Sequence, residues 1–282
     1  MGLADNPIGV YEKALPPGTG WPSMFSVAHE CGYSFIELSI DESEERLERL
    51  RSGSARQREL RSAARDSAVE LRTMCLSGHR KYAFGSADSQ VRARAYEIMA
   101  QAIELAVTLG IRIIQLAGYD VFYEEGNESS RSRYFEGLSR AAELASQASI
   151  MLGIENVDSD TVGSIESAMH YVDEINSPWM HLYPDIGNLS AMGTDVSQEL
   201  RRGSGHLLAV HLKDTRPREV RRVPFGEGTV PFERAFRTLA DLSFNGPFVV
   251  EMWNEEASDA PAVIREAREW LQRSMNSAEI RT

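Results

Sequence analysis

A unit of strand, helix and strand between residues 110 and 157 decides the fold. It reads GIRIIQLAGYDV (110–121), SSRSRYFEGLSRAAELASQA (129–148) and IMLGIENV (150–157). The outer stretches are short, apolar and rich in β-branched residues, which is typical of buried strands, and the middle stretch has helical periodicity. Strands that alternate with helices are expected to be parallel and joined by right-handed crossovers.

Apolar runs of the same kind recur along the whole chain, with helical stretches such as SQVRARAYEIMAQAIELAVTLG (89–110) between them. Eight strand–helix units predict a (β/α)8 TIM barrel, an α/β fold forming a single domain over residues 1–282. An open doubly wound sheet normally has fewer strands and a GxGxxG motif, which IGVYEKALPPG (8–18) lacks. The eight predicted strands lie near residues 8–11, 35–40, 71–77, 111–117, 150–157, 179–185, 207–213 and 247–253.

The composition limits the classes of partner. The formal net charge of −12 argues against a nucleic-acid partner, because phosphate contacts need clustered Lys and Arg. No apolar run approaches the roughly 20 residues of a membrane span, and no signal peptide is expected. Cys31 and Cys75 are not in a metal-binding spacing and are expected to be small buried side chains. These features favour a cytoplasmic enzyme with a small substrate.

Four metal-ligand side chains stand at the ends of the last four apolar runs: Glu155, Asp185, His211 and Glu251. The active sites of TIM barrels lie at the carboxyl ends of the strands. Each residue alone could be an ordinary polar side chain at a strand end, but four on consecutive strands predict one site. An oxygen-rich set with a single nitrogen suits one divalent ion, and Mn, Zn, Mg and Co all fit.

The chain resembles the sugar-phosphate isomerases and epimerases with xylose-isomerase-like barrels. Within that superfamily it is most similar to the L-xylulose-5-phosphate 3-epimerases, also called L-ribulose-5-phosphate 3-epimerases, of bacterial pentose and L-ascorbate catabolism. The matching stretches are PIGVYEKALP (7–16), FIELSIDE (35–42), MCLSGHRKYAFGS (74–86), GIRIIQLAGYDV (110–121), LYPDIGNLSA (182–191), AVHLKDT (209–215), VPFGEGTVPFER (223–234) and EMW (251–253).

The resemblance implies a reaction and a division of roles. The four strand-end residues become the ligands of one divalent ion, and Glu155 and Glu251 become the acid/base pair. Epimerisation at C3 of a 2-ketose removes a proton next to a carbonyl and returns it to the other face through a cis-enediolate, which the ion stabilises. The resemblance also implies a homodimer. Asn156, and Asn254 with Glu255, differ from the residues usual in the family at these positions and could alter sugar contacts.

A phosphorylated ketose needs an anion site, and two candidates are present. The first joins Lys13 to the stretch after the third run, with His79, Arg80 and the backbone at Ser86, where a helix is expected to begin. The second is the loop after the seventh run, from Lys213 to Arg216 with Gly226 and Gly228. We favour the first, because the later strands already carry the metal ligands.

Three residues have alternative interpretations. Glu37 and Gln115 are predicted to point inward, where either could bind a sugar hydroxyl or a metal-bound Glu, or simply fill the barrel mouth. His79 is either a sugar contact or a structural histidine.

Three other functions compete with the epimerase. An aldose–ketose isomerase acting on a hexulose 6-phosphate would use similar groups. A DNA-repair endonuclease of the same superfamily would need a His-rich metal cluster, yet the chain has only six His and is acidic. A non-catalytic sugar-binding barrel would not need both opposing Glu.

Overall fold

Eight parallel strands curl into a closed barrel in the computed structural model, which describes residues 2–51, 53–254 and 259–279. The hydrogen-bonded order of the strands follows the chain around the barrel, and the parallel bridges Leu182–Leu207 and Asp185–His211 close the remaining gap. The predicted TIM barrel is therefore confirmed. The strands are β1 (Ile8–Tyr11), β2 (Phe35–Ile40), β3 (Glu70–Leu76), β4 (Ile113–Ala117), β5 (Met151–Glu155), β6 (Met180–Leu182), β7 (Val210–Leu212) and β10 (Phe248–Val250).

Helices cover the outside of the barrel, and their ends carry recognisable caps. The helix α4 (Ser89–Leu109) ends at Gly110, whose φ of 80° is readily adopted by a residue without a Cβ. The helix α5 (Glu128–Ala148) begins after Asn127, whose side chain accepts a hydrogen bond from the Ser130 amide. The helices are α1 (Trp21–Glu30), α2 (Glu44–Leu47), α3 (Ala55–Arg65), α4 (Ser89–Leu109), α5 (Glu128–Ala148), α6 (Ile165–Ile175), α7 (Ile186–Ala191), α8 (Val196–Arg202), α9 (Phe232–Asp241) and α10 (Ala260–Glu279).

The last three barrel strands are shorter than predicted. The run 179–185 forms a strand only over Met180–Leu182, since Pro184 has no amide to donate and Asp185 instead caps α7 by accepting from the Asn188 amide at 2.9 Å. Glu251 likewise follows β10 by one residue. Both carboxylates therefore belong to loop starts at the carboxyl end of the barrel.

A hairpin that the sequence did not predict lies between β7 and α9. Its antiparallel strands are β8 (Asp214–Arg216) and β9 (Glu219–Val223). The buried carboxylate of Asp214 anchors it by accepting from the backbone amides of Thr215, Gly226 and Gly228, each at 2.9 Å. These bonds fix the hairpin to the carboxyl end of the barrel.

Within the described ranges, no helix is both long and apolar enough to cross a membrane.

Candidate active site

The four predicted ligand residues meet in one buried cluster. Each of Glu155, Asp185, His211 and Glu251 offers one ligand atom, and these atoms all lie within 4.8 Å of one another. Parallel pairing produces this convergence, because it brings the carboxyl ends of β5, β7 and β10 to the same end of the barrel. The donor set fits a divalent cation: three carboxylates and one imidazole surround a small volume.

Lys213 supplies the positive charge beside two of the carboxylates. Its Nζ lies 2.7 Å from Asp185 Oδ2 and 2.9 Å from Glu251 Oε2. Burial raises the pKa of Asp185, although Lys213 opposes the shift. Burial would also raise the pKa of Glu251, but Lys213 and His211 outweigh it and hold that pKa well below its usual range. Glu251 is therefore an ionised carboxylate at neutral pH.

Glu155 is oriented by neighbours on two strands. The side-chain amide of Gln115, on the adjacent β4, donates a hydrogen bond to Glu155 Oε2. Glu155 Oε1 lies 2.8 Å from Nδ1 of His211. Of the three alternatives for Gln115, the structure shows the contact with a predicted metal-bound Glu.

A cavity of about 220 Å³ opens above the cluster, and both acidic and basic side chains line its wall. Glu155 and Glu251 form the acidic part, with Tyr11 and Trp253 beside them. Four cations line the same cavity: Lys13, Arg80, Arg221 and Arg222. Such a wall can hold a molecule with an anionic group at one end and a metal-binding group at the other.

Arg80 is the cation best placed for an anion. Its guanidinium lies 5.8 Å from the ring centre of Tyr119 and 5.6 Å from that of Phe122. Its Nε is buried without a hydrogen-bond partner, and no carboxylate forms an ion pair with it among the described residues. Lys13, across the same cavity, pairs with Asp41 at 2.6 Å.

The protein's own carboxylates occupy the alternative anion positions. The backbone amides of Gly226 and Gly228 already bind Asp214, and Lys213 is held by two cluster carboxylates. Ser86 does not begin a helix, since α4 starts at Ser89 after Asp88, whose side chain accepts from the Gln90 amide. An acidic cap at this position disfavours an anion.

Two further residues that were predicted as possible sugar contacts, His79 and Glu37, bind other parts of the protein instead. The His79 imidazole hydrogen-bonds the carbonyl of Ala95 at 3.2 Å and packs against Phe84, as expected for a structural histidine. Glu37 is fully buried, with three partners inside the barrel, so its carboxylate is not available to a sugar hydroxyl.

Two of the three residues that depart from the family's usual sequence, Asn156 and Asn254, have clear hydrogen-bond partners in the structure. Asn156 donates to the Asp185 carbonyl at 3.0 Å and accepts from the Asp185 amide at 2.9 Å, so it joins two ligand-bearing loops rather than facing the cavity. Asn254 donates to the Ala14 carbonyl at 2.8 Å. Glu255 lies outside the described residues.

The buried His79 predicts a specific pH dependence of stability. Burial lowers its pKa from 6.5 to about 4, so the unfolded chain takes up the proton first as the pH falls, and folding loses stability between those values. Between pH 7.5 and pH 5 the wild-type chain should lose about 2 kcal/mol more stability than His79→Gln. Urea denaturation of both proteins at both pH values measures the difference. Equal losses would contradict this assignment.

The sequence did not reveal Arg221 and Arg222, which bring two cations over the cavity from β9. The Arg221 guanidinium lies 5.0 Å from the ring centre of Trp253, and Arg222 has a φ of 63°, which is unusual for a residue with a Cβ. The two Val of EVRRV (219–223) stand three positions apart, so the sequence carried little of the alternation that marks a strand.

Comparison with known proteins agrees with the fold. The model of the xylose isomerase-like TIM barrel family matches residues 25–274. The chain belongs to this family. It is 46% identical over 272 residues to the L-ribulose-5-phosphate 3-epimerase UlaE of Salmonella heidelberg (strain SL476), and the match covers 96% of each chain. The predicted resemblance to the 3-epimerases is thus confirmed.

Solved structures show the same fold at lower identity. The 3-keto-D-glucoside 4-epimerase YcjR from E. coli superimposes with a TM-score of 0.78 at 17% identity, covering 95% of this chain and 100% of that one. A structure of L-ribulose 3-epimerase gives a TM-score of 0.77 at 18% identity, with 96% and 95% covered.

Proposed function

We propose that the protein is a metal-dependent 3-epimerase that interconverts L-xylulose 5-phosphate and L-ribulose 5-phosphate. One observation carries the proposal: Glu155 and Glu251 line one cavity and belong to one four-residue cluster. The name of the 46% identical relative supports the same substrate and favours the epimerase over an aldose–ketose isomerase.

The four residues of the cluster would bind the ion, and two of them would also transfer the proton. Glu155, Asp185, His211 and Glu251 would hold one divalent ion. When bound, the ion would act as a Lewis acid that polarises the ketose oxygens and makes the C3 proton more acidic. Glu155 and Glu251 would exchange the C3 proton, one carboxylate removing it and the other carboxyl group returning a proton to the opposite face. The direction of reaction decides which Glu is the base.

The phosphate would bind at the basic side of the cavity. Arg80 supports this because it has no carboxylate partner there among the described residues, and Lys13 lies across the same cavity, although its ion pair with Asp41 offsets part of its charge. A guanidinium can bind phosphate through two parallel hydrogen bonds. The reaction centre would then lie at the acidic cluster.

A substrate panel tests the proposal. The metal-loaded enzyme should convert L-xylulose and L-ribulose 5-phosphates at least about 100-fold more efficiently than the free sugars, and Arg80→Met should remove most of that preference. Arg61→Met, at an exposed position on α3, is the matched control. Conversion of a hexulose 6-phosphate to an aldose, with the pentulose phosphates unchanged, would support the isomerase instead.

The proposal also includes a cellular location, an oligomeric state and the identity of the ion. A cytoplasmic location accords with two unpaired buried cysteines, and a homodimer accords with the family resemblance. The donor set is compatible with Mn, Zn, Mg or Co. Metal analysis of the purified protein and light scattering measure the ion and the oligomeric state.

A further inference from the structure

Glu37 is a charged side chain with no exposed surface, and all its partners lie inside the barrel. Its Oε1 accepts from the hydroxyls of Thr73 at 2.9 Å and Tyr183 at 2.6 Å. Its Oε2 lies 2.7 Å from Nε2 of His211. Burying a carboxylate is costly unless hydrogen bonds replace those it made to water. A hydrophobic side chain would fill this space at lower cost, so the three hydrogen-bond partners of Glu37 point to a role other than packing.

The contact with His211 determines which ring nitrogen faces the cluster. An ionised carboxylate can only accept, so Nε2 must carry a proton. Nδ1 is then the atom that points to the ligand cluster, 2.8 Å from Glu155 Oε1. Carboxylates that hold the far nitrogen of a metal-binding imidazole in this way orient the ring and raise its basicity.

We propose that Glu37 is a positioning residue that holds His211 in the tautomer with a proton on Nε2, so that Nδ1 is presented to the cation. The proposal rests on the proposed function only in assuming that the cluster binds a divalent cation. Glu37 would touch neither the substrate nor the ion, and its effect would pass through His211.

Neighbouring elements build the support for this contact. Thr73 lies on β3, next to β2, which carries Glu37. Tyr183 follows β6 and packs edge-on against His211, with ring centres 4.8 Å apart. Gly153 on β5 leaves room for Tyr183, since a Cβ there would lie 2.8 Å from the Tyr183 Cβ. The His211 ring is therefore held at its edge and at its face.

Glu37→Gln gives a sharp test because the amide keeps the size of the side chain. The two hydroxyls that donate to Oε1 would retain the amide oxygen there, so the amide NH₂ would face His211. Nε2 would then have to accept, and the ring would keep a proton only on Nδ1, where it blocks cation binding. Long-range ¹H–¹⁵N spectra of ¹⁵N-histidine-labelled, metal-free protein should show protons on both nitrogens of His211 in the wild type, where each nitrogen faces a carboxylate, and on Nδ1 alone in the variant.

Calorimetric titration with Co²⁺ measures the consequence for binding. Glu37→Gln should bind Co²⁺ about 10- to 100-fold more weakly than the wild type. Thr73→Val is the matched control, because it removes one donor to Glu37 and leaves the His211 contact, and its affinity should change less than about 3-fold. Thermal unfolding of the metal-free proteins shows whether each variant folds, and Glu37→Asp provides a second variant whose shorter side chain loses the His211 contact.

The outcomes separate the inference from the proposed function. An Nε2 proton that persists on His211, with unchanged Co²⁺ affinity, in folded Glu37→Gln would overturn the role of Glu37. A wild-type chain that binds no divalent cation would instead overturn the proposed function. Equal loss of affinity in Thr73→Val and Glu37→Gln would also count against the inference, because it would indicate a general packing effect.

Discussion

Replacing Glu155 or Glu251 with glutamine is expected to lower kcat/KM for epimerisation by a factor of about 10³ or more. Both carboxylates belong to the buried cluster and line the same cavity, and glutamine retains their size but cannot exchange a proton. Assays at saturating metal separate the loss of proton transfer from weaker ion binding. Glu174→Gln, at an exposed position on α6, is the matched control and should retain activity.

The two variants should also differ from each other. Each retains one carboxylate, so each should still exchange the C3 proton of one epimer with solvent while failing to invert it. NMR of either epimer in deuterated water detects this half-reaction. Full turnover in both variants would refute the two-carboxylate mechanism.

Removing the divalent ion should abolish turnover, and adding it back should restore it. Three carboxylates and one imidazole converge, and among the described residues Lys213 is the one ammonium that pairs with them, so the cluster is suited to a cation. Dialysis against a chelator, followed by metal analysis and titration with Mn²⁺, Zn²⁺, Mg²⁺ or Co²⁺, measures the dependence. Full activity in a preparation shown to be metal-free would contradict the assignment.

Asp185 offers a variant that isolates ion binding from proton transfer. Asp185→Asn should require a higher metal concentration for half-maximal activity, because it removes a charged ligand. Asp173→Asn, an exposed change on α6, should leave that concentration unchanged. Equal requirements in the two variants would indicate that Asp185 does not bind the ion.

The sequence predicted the barrel and the four-residue cluster because both follow from short-range patterns. Apolar runs separated by helical stretches determine the strand order, and parallel strands bring Glu155 and His211 to one end without further information. The predicted ends of the short strands were wrong where a local side-chain bond competed with the sheet, as when Asp185 caps α7.

The remaining parts of the site depend on contacts between distant residues. The Glu37–His211 bond joins positions 174 residues apart, and no spacing rule indicates that this inward carboxylate would meet an imidazole rather than a sugar. The helix start expected at Ser86 moved to Ser89 because Asp88 is the better cap. The hairpin with Arg221 and Arg222 was missed because a short, charged, half-exposed strand has little apolar alternation.

Epimerisation in deuterated water, followed by NMR, tests the central claim most directly. With L-ribulose 5-phosphate and metal-loaded protein, we expect inversion at C3 and incorporation of one solvent deuterium at that carbon, with C1 unlabelled. Deuterium at C1 alone, with C3 unchanged in configuration, would contradict the account.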